Sequence, residues 1–237
     1  MMPVKNVKAV LFDYDGVLVA SEPFHLAAWI KLMSELGISF GEKEMKPFVG
    51  WTGPQILRHQ LASHRSGSEK DENLIASLMD RKNSFYLSRA LKEMTPYDGV
   101  TNGLKWLRSA GIKTAIVSNS RRPDLVKTTR TTGLDQYIDF IISRDEVSIP
   151  KPDPAMYLSA AKGLGCKPGE CIAVEDSPPG LLGALRAGIA SAALLNNFSI
   201  EQMSRPDPAR PGVRPDWTFA CIADFFAFLK LARSGPG

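Results

Sequence analysis

The sequence is poor in cysteine: Cys166, Cys171 and Cys221 are the three in 237 residues. Their number is odd and their spacing matches no metal-ligand pair. Free thiols in a reducing cytoplasm are therefore expected, rather than a disulfide framework or a cysteine-held metal. Long apolar runs are also missing; none approaches the roughly 18 residues that a membrane-spanning helix needs. Met1-Met2-Pro3-Val4-Lys5 leads almost directly into a short apolar stretch, without the longer apolar segment and small-residue cleavage site of a secretory signal. Neither charge sign is in large excess. The 29 Lys and Arg against 25 Asp and Glu leave +4, evenly spread, which argues against a nucleic-acid partner. Internal repeats and low-complexity tracts are absent. What is present, 44% hydrophobic and 23% charged residues, suffices for a sizeable core in one large domain or two modest ones. These features favour a soluble, cytoplasmic enzyme or binding domain, with no membrane partner and at most weak homodimerisation.

Lys8-Ala9-Val10-Leu11-Phe12 is continuously apolar after its lysine, and it ends in Asp-Tyr-Asp-Gly. Continuous rather than alternating apolarity predicts a strand covered on both faces, as in a parallel sheet. Similar runs recur at 114–117, 140–142 and 171–174, with weaker ones at 190–194 and 217–220. Helical patterns lie between them, over 101–110, 123–132, 154–164 and 179–187, each stopping at a glycine (Gly111, Gly133, Gly165, Gly188). Strand and helix in alternation predict an α/β fold, a doubly wound parallel sheet of Rossmann-like kind.

The stretch from about Pro23 to Met94 has helical patterns and no convincing strand, with 74–91 suited to a long helix. It reads as a small all-helical insertion, residues 21–94, in an α/β core made of 1–20 and 95–237. Four prolines between 205 and 216 predict an extended loop before the last strand, and an amphipathic helix follows over 222–231.

Polar groups gather where the strands end, which is where open α/β sheets bind ligands. Asp13 and Asp15 fall on one side of an extended chain with Tyr14 on the other, and Gly16 allows a sharp turn. Two carboxylates this close repel, and a hard divalent cation such as Mg2+ would satisfy them; an ordinary acidic turn is the alternative. Ser118-Asn119-Ser120 ends the second strand, where a hydroxyl can hold a phosphate oxygen, although such residues are also common in loops. Lys151 stands between Pro150 and Pro152, which restrict its backbone and aim its ammonium; a solvated lysine in a rigid loop is the plainer reading. Glu175-Asp176 follow a buried strand, where a metal role suits them, while Ser177 or Asp176 could instead cap the next helix.

In this combination the chain resembles the haloacid dehalogenase-like phosphohydrolases. Asp-x-Asp-Gly-x-Leu is present as Asp13 to Leu18, the serine is Ser118, the lysine is Lys151, and the acidic pair is Glu175-Asp176 with Gly180 beyond. The helical insertion matches that family's cap. The resemblance implies that Asp13 attacks phosphorus to give an aspartyl-phosphate, and that Asp15 protonates the leaving oxygen and then activates water. It further implies Mg2+ held by Asp13, the Asp15 backbone carbonyl, Asp176 and Glu175, directly or through water. Ser118, Asn119 and Lys151 would bind the transferred phosphoryl group. Asp15 argues against the family's carbon–halogen and carbon–phosphorus hydrolases, which generally lack a carboxylate there.

Within the family the sequence is similar to the β-phosphoglucomutase and sugar-phosphate phosphatase branch. Ser21, Glu22, Pro23 and His25 match its hinge region, and Arg81-Lys82-Asn83 a basic cap element. His25 and Lys82 would then reach the substrate or Asp15 as the cap closes about linkers near 18–21 and 95–99. A helix residue near a boundary and a solvated lysine are the respective alternatives. Mutases of this branch place an arginine in the cap loop Val49 to Pro54, where Gly53 stands here. Arg121, with Arg122 beside it, could still bind a distal phosphate. Trp51 would either shape the pocket or pack in the cap. The balance favours a phosphatase of a small phosphorylated molecule over a phosphotransferase, and either over an inactive binding protein.

Overall fold

The computed structural model describes residues 4–48, 52–64, 67–203 and 214–234. Six strands, β1 (Ala9–Phe12), β2 (Lys113–Ser118), β3 (Phe140–Ser143), β4 (Cys171–Glu175), β5 (Ala190–Leu194) and β6 (Trp217–Phe219), form one sheet in the order β3-β2-β1-β4-β5-β6. Every neighbouring pair is parallel. All four residues of the central β1 are fully buried, which is why its sequence is apolar without alternation. The strand order reverses between β1 and β4, so the crevice that such sheets offer to ligands opens at the carboxyl ends of these two strands.

The chain divides into two compact units, Met1–Ala20 with Thr95–Gly237, and Ser21–Met94. The second holds the helices α1 (Glu22–Glu35), α2 (Glu42–Met45), α3 (Gly53–His64) and α4 (Glu72–Glu93), and no strand among the described residues. Pro23 stands in the first turn of α1, where its missing N–H costs nothing. Asp71 caps α4 by accepting from the Leu74 N–H at 3.0 Å, which starts that helix ahead of the expected 74–91; it also runs two residues past 91. The core of this unit is built from Trp29, Leu32, Met33, Leu57, Leu61 and Ile75. Val49, Gly50 and Trp51 of the expected cap loop lie outside the described residues, as does most of the proline-rich segment before β6.

In the sheet unit the connecting helices are α5 (Val100–Ser109), α6 (Arg122–Thr131), α7 (Ala155–Gly163), α8 (Pro178–Arg186), the short α9 (Ile200–Met203) and α10 (Ile222–Ser234). Strand side chains alternate between the two faces. Ala9 and Leu11 pack with Met156, Tyr157 and Ala160 of α7 and Ala184 of α8, whereas Phe12 meets Phe225 and Phe226 of α10. Val19 and Pro96 pair in an antiparallel bridge, and the Tyr97 N–H donates to the Leu18 carbonyl at 3.0 Å. No helix among the described residues is long and apolar enough to cross a membrane. Cys166, Cys171 and Cys221 are free thiols.

Candidate active site

The Asp13 N–H donates to the Val174 carbonyl at 2.9 Å, extending the β1–β4 ladder one residue past the end of β1. This places the Asp13 side chain at the strand reversal. Gly16 follows with φ +77, a left-handed conformation that a residue with a Cβ resists, and its N–H donates to the Val19 carbonyl at 3.0 Å. The tight loop after β1 is fixed by this turn and by Asn196, whose amide donates to the Gly16 carbonyl at 2.9 Å. Tyr14 is fully buried, and burial pushes its hydroxyl pKa up to about 12.

Asp13 Oδ1 accepts from the Tyr14 N–H at 2.8 Å and lies 3.1 Å from Lys151 Nζ. The same ammonium donates to Glu175 Oε1 at 2.6 Å, and the Lys151 side chain is only 2% exposed. The plainer reading of Lys151 as a solvated loop residue is therefore wrong: two carboxylates draw its charge inward. Its backbone N–H donates to Asn119 Oδ1 at 3.2 Å, so the end of β2 sets where the lysine begins. Burial works against the Lys151 charge, but Asp13 and Glu175 outweigh it and hold the ammonium pKa above its ordinary value.

Asp13, Glu175 and Asp176 are all buried, and each offers a carboxylate oxygen within 4.8 Å of the others. Three carboxylates against the Lys151 ammonium leave two negative charges when all are ionised, the charge that one divalent cation would offset. Burial first, and then the charge of Glu175, push the Asp13 pKa well above the usual carboxylate range, with Lys151 opposing. This oxygen-only, charge-rich set suits a hard cation rather than a soft one. The Asp15 carboxylate is not part of this triad; its Oδ2 accepts from Ser120 Oγ at 2.7 Å. Ser118, buried at the end of β2, accepts through its Oγ from the Ser120 N–H at 3.0 Å. Ser118 and Ser120 thus tie the second strand end to the first.

Of the two candidates for capping α8, Ser177 takes the role: its Oγ accepts from the Gly180 N–H at 3.2 Å, which leaves Asp176 to the acidic cluster. Asp176 Oδ2 accepts from the Asn197 amide at 2.8 Å. Glu175, fully buried, also accepts from the hydroxyls of Tyr157 and, at 3.2 Å, Ser177. Its carboxylate fills the space beside Gly180, where a Cβ would overlap it. Gly180→Ala is accordingly expected to destabilise the fold by about 1–3 kcal/mol and to lower activity by displacing Glu175. Thermal melts and turnover on the same preparation measure both effects, and a stable, fully active variant would contradict this packing.

Arg121 precedes α6 with its charge acting on Asp124. Arg122 is engaged with the core: its Nη1 donates to the Ile141 carbonyl at 2.5 Å and pairs with Glu146 at 3.2 Å. The pair is half-exposed. In the helical unit Lys82 is 5% exposed rather than solvated. Its Nζ lies 2.8 Å from His25 Nδ1 and 5.6 Å from the ring centroids of both Trp29 and Tyr86. His25 stacks on Tyr86 at 4.1 Å. His25, matched to the hinge region, and Lys82, matched to the basic cap element, therefore form one cluster. Reasoning from the sequence named Ser120 only within the Ser118-Asn119-Ser120 strand end and missed Tyr157, Asn196 and Asn197; the two asparagines follow β5 at the same sheet edge as the acidic residues, and reading that strand end would have found them.

A parallel sheet that gathers buried carboxylates at the ends of β1 and β4, with an ammonium from the loop after β3, has the layout in which open α/β sheets bind ligands. A family model described as haloacid dehalogenase-like hydrolase matches residues 7–188, and the chain belongs to that family. It is 29% identical over 200 residues to validoxylamine A 7'-phosphate phosphatase from Streptomyces hygroscopicus subsp. limoneus, covering 84% of this chain and 91% of that one. It is 30% identical over 197 residues to phosphoglycolate phosphatase 1 from Pseudomonas aeruginosa, covering 81% and 71%. The crystal structure of β-phosphoglucomutase from Clostridium difficile superposes with a TM-score of 0.77 at 22% identity over 96% of this chain and 97% of that one, a likeness of fold. The expected doubly wound sheet and family both hold, and the chain is an enzyme of the phosphatase type.

Proposed function

We propose that the chain is a Mg2+-dependent phosphatase that hydrolyses a small phosphomonoester of the sugar-phosphate kind through an aspartyl-phosphate on Asp13. The observation that carries this reading is the position of Lys151 Nζ, 3.1 Å from Asp13 and 2.6 Å from Glu175, beside a third buried carboxylate. Mg2+ would be held by Asp13, Asp176, the Asp15 backbone carbonyl and Glu175, and when bound it offsets the charge that otherwise keeps a phosphate away. The Tyr14 N–H and Lys151 fix the Asp13 carboxylate, which forms the new bond to phosphorus as the ester oxygen leaves. Asp15, oriented by Ser120, gives that oxygen its proton and then takes one from the water that releases phosphate. Ser118, Asn119 and Lys151 bind the transferred group. Arg121 and the His25–Lys82 cluster are the proposed contacts to the rest of the substrate.

The choice of hydrolysis over phosphotransfer draws support from Gly53. A Cβ there would lie 2.5 Å from Met79 Cε, so a larger residue at this position requires the Met79 side chain to move. The experiment is release of phosphate from p-nitrophenyl phosphate and from a panel of sugar phosphates, with Mg2+ and with EDTA. Mg2+-dependent phosphate release is expected. Failure to turn over any phosphoester, or conversion of glucose 1-phosphate to glucose 6-phosphate in place of free phosphate, would overturn the reading.

The raised Asp13 pKa adds a pH dependence. A raised carboxylate favours the folded, metal-free protein in its protonated form, a contribution present below the unfolded pKa and lost as pH rises through the folded value. Cation binding must expel that proton. Apparent Mg2+ affinity is therefore expected to rise with pH, by up to about tenfold per unit while Asp13 remains protonated. Calorimetric titration at several pH values measures this, and a pH-independent affinity would contradict it.

A further inference from the structure

The structure assigns Tyr157 as a positioning residue of the active site: its hydroxyl holds Glu175 so that Lys151 is shared with Asp13 rather than claimed by Glu175 alone. The inference rests on the proposed roles of Asp13, Lys151 and Glu175. Tyr157 lies in the first turns of α7 and is fully buried. As a packing residue it needs only its ring, which lies against Gly183, where a Cβ would come within 3.2 Å of Cε2. A buried hydroxyl is costly unless it is paired. Its partner here is Glu175 Oε1, the same oxygen that receives Lys151 at 2.6 Å. Glu175 Oε2 receives Ser177 Oγ at 3.2 Å. Three donors on two oxygens fix the plane of this carboxylate, and one of the three is a neutral group that competes with the ammonium for Oε1.

The ring also carries the lysine. Lys151 Nζ lies 5.4 Å from the Tyr157 centroid, within range of a cation–π attraction. Tyr157 therefore touches both members of the Lys151–Glu175 pair: the ring supports the ammonium and the hydroxyl orients the carboxylate. Two glycines of α8 make the room, Gly183 for the ring and Gly180 for the carboxylate. Without the hydroxyl, Glu175 turns toward Lys151, the ammonium moves away from Asp13, and the acidic cluster loses its arrangement. Outer partners of metal-site carboxylates commonly affect affinity or activity by about 10–100-fold.

The test is Tyr157→Phe, which keeps the ring and removes only the hydroxyl. Mn2+ binding to the full chain, read from the free-ion signal in electron paramagnetic resonance, is expected to weaken about tenfold. The kcat on p-nitrophenyl phosphate is expected to fall about tenfold with KM within about twofold, because the loss lies in the arrangement of reacting groups rather than in substrate binding. A folded variant with wild-type Mn2+ affinity and wild-type kcat, whatever its melting temperature, would reduce Tyr157 to a core residue and overturn the inference. If Tyr157→Phe does not fold, Gly183→Ala decides. Its Cβ presses on the ring, so weaker Mn2+ binding supports the assignment and unchanged binding refutes it. A wild-type protein that binds Mn2+ yet hydrolyses no phosphoester would sink the proposed function but leave the Mn2+ comparison valid.

Discussion

Asp13→Asn is expected to lower turnover by at least about 10^4-fold while leaving the fold intact. An amide has almost the shape of the carboxylate, so it can still accept from the Tyr14 N–H and fill the same buried space. It is a far poorer nucleophile toward phosphorus and carries no charge to hold a cation. The side chain sits where burial and Glu175 already disfavour its ionised form, so its replacement by a neutral group removes repulsion. The metal-free variant should be at least as stable as wild type at neutral pH. Single-turnover kinetics and thermal melts on the same preparation test both halves. Wild-type turnover would end the covalent scheme, and a large loss of stability would show that Asp13 also holds the fold together.

Lys151→Met is expected to be the most damaging substitution for stability. The Lys151 side chain is 2% exposed and bridges two carboxylates, so its loss leaves Asp13 and Glu175 facing each other in a buried site. Breaking a buried ion pair by removing one partner commonly costs about 3–5 kcal/mol, which in a chain of this size lowers Tm by roughly 10 °C. The sign of the pH effect follows. Acid protonates Asp13 and relieves the repulsion, so the Tm deficit should shrink as pH falls. Added Mg2+ should also narrow it by supplying the missing positive charge. Melts of both proteins over a range of pH, with and without Mg2+, measure these differences. A deficit that is independent of both would mean that Lys151 contributes packing rather than charge.

The inner strands of this sheet were legible because burial on both faces removes alternation, and few other structures demand that of a short segment, whereas the edge strand β6 is only partly covered. The helices were legible from prolines at their starts and glycines at their ends. Asp13, Asp15, Ser118, Glu175 and Asp176 were legible because each follows or ends an apolar run, and Lys151 because two prolines flank it. What stayed hidden depends on contacts that no period determines. Tyr157 looks like any aromatic residue at a core position of a helix, and only the fold reveals that its hydroxyl meets Glu175. Ser120 could not be told from Ser118, since two hydroxyls two residues apart diverge according to the turn they enter. Asn196 and Asn197 follow a weak strand and act on residues far away in the chain, at Gly16 and Asp176. Lys82 reads as a surface lysine, yet aromatic neighbours and His25 enclose it.

The antiparallel bridge between Val19 and Pro96 holds together the two points where residues 21–94 leave and rejoin the sheet unit. Chain ends that close are within the span of a two-residue hairpin turn. The helical insert is thus spliced at a single spot, and its length and sequence can change without reshaping the strands of the sheet. A miniature protein in which a short turn replaces the insert should retain the sheet and its acidic cluster, and would offer a direct way to ask whether residues 1–20 and 95–237 turn over a phosphoester on their own.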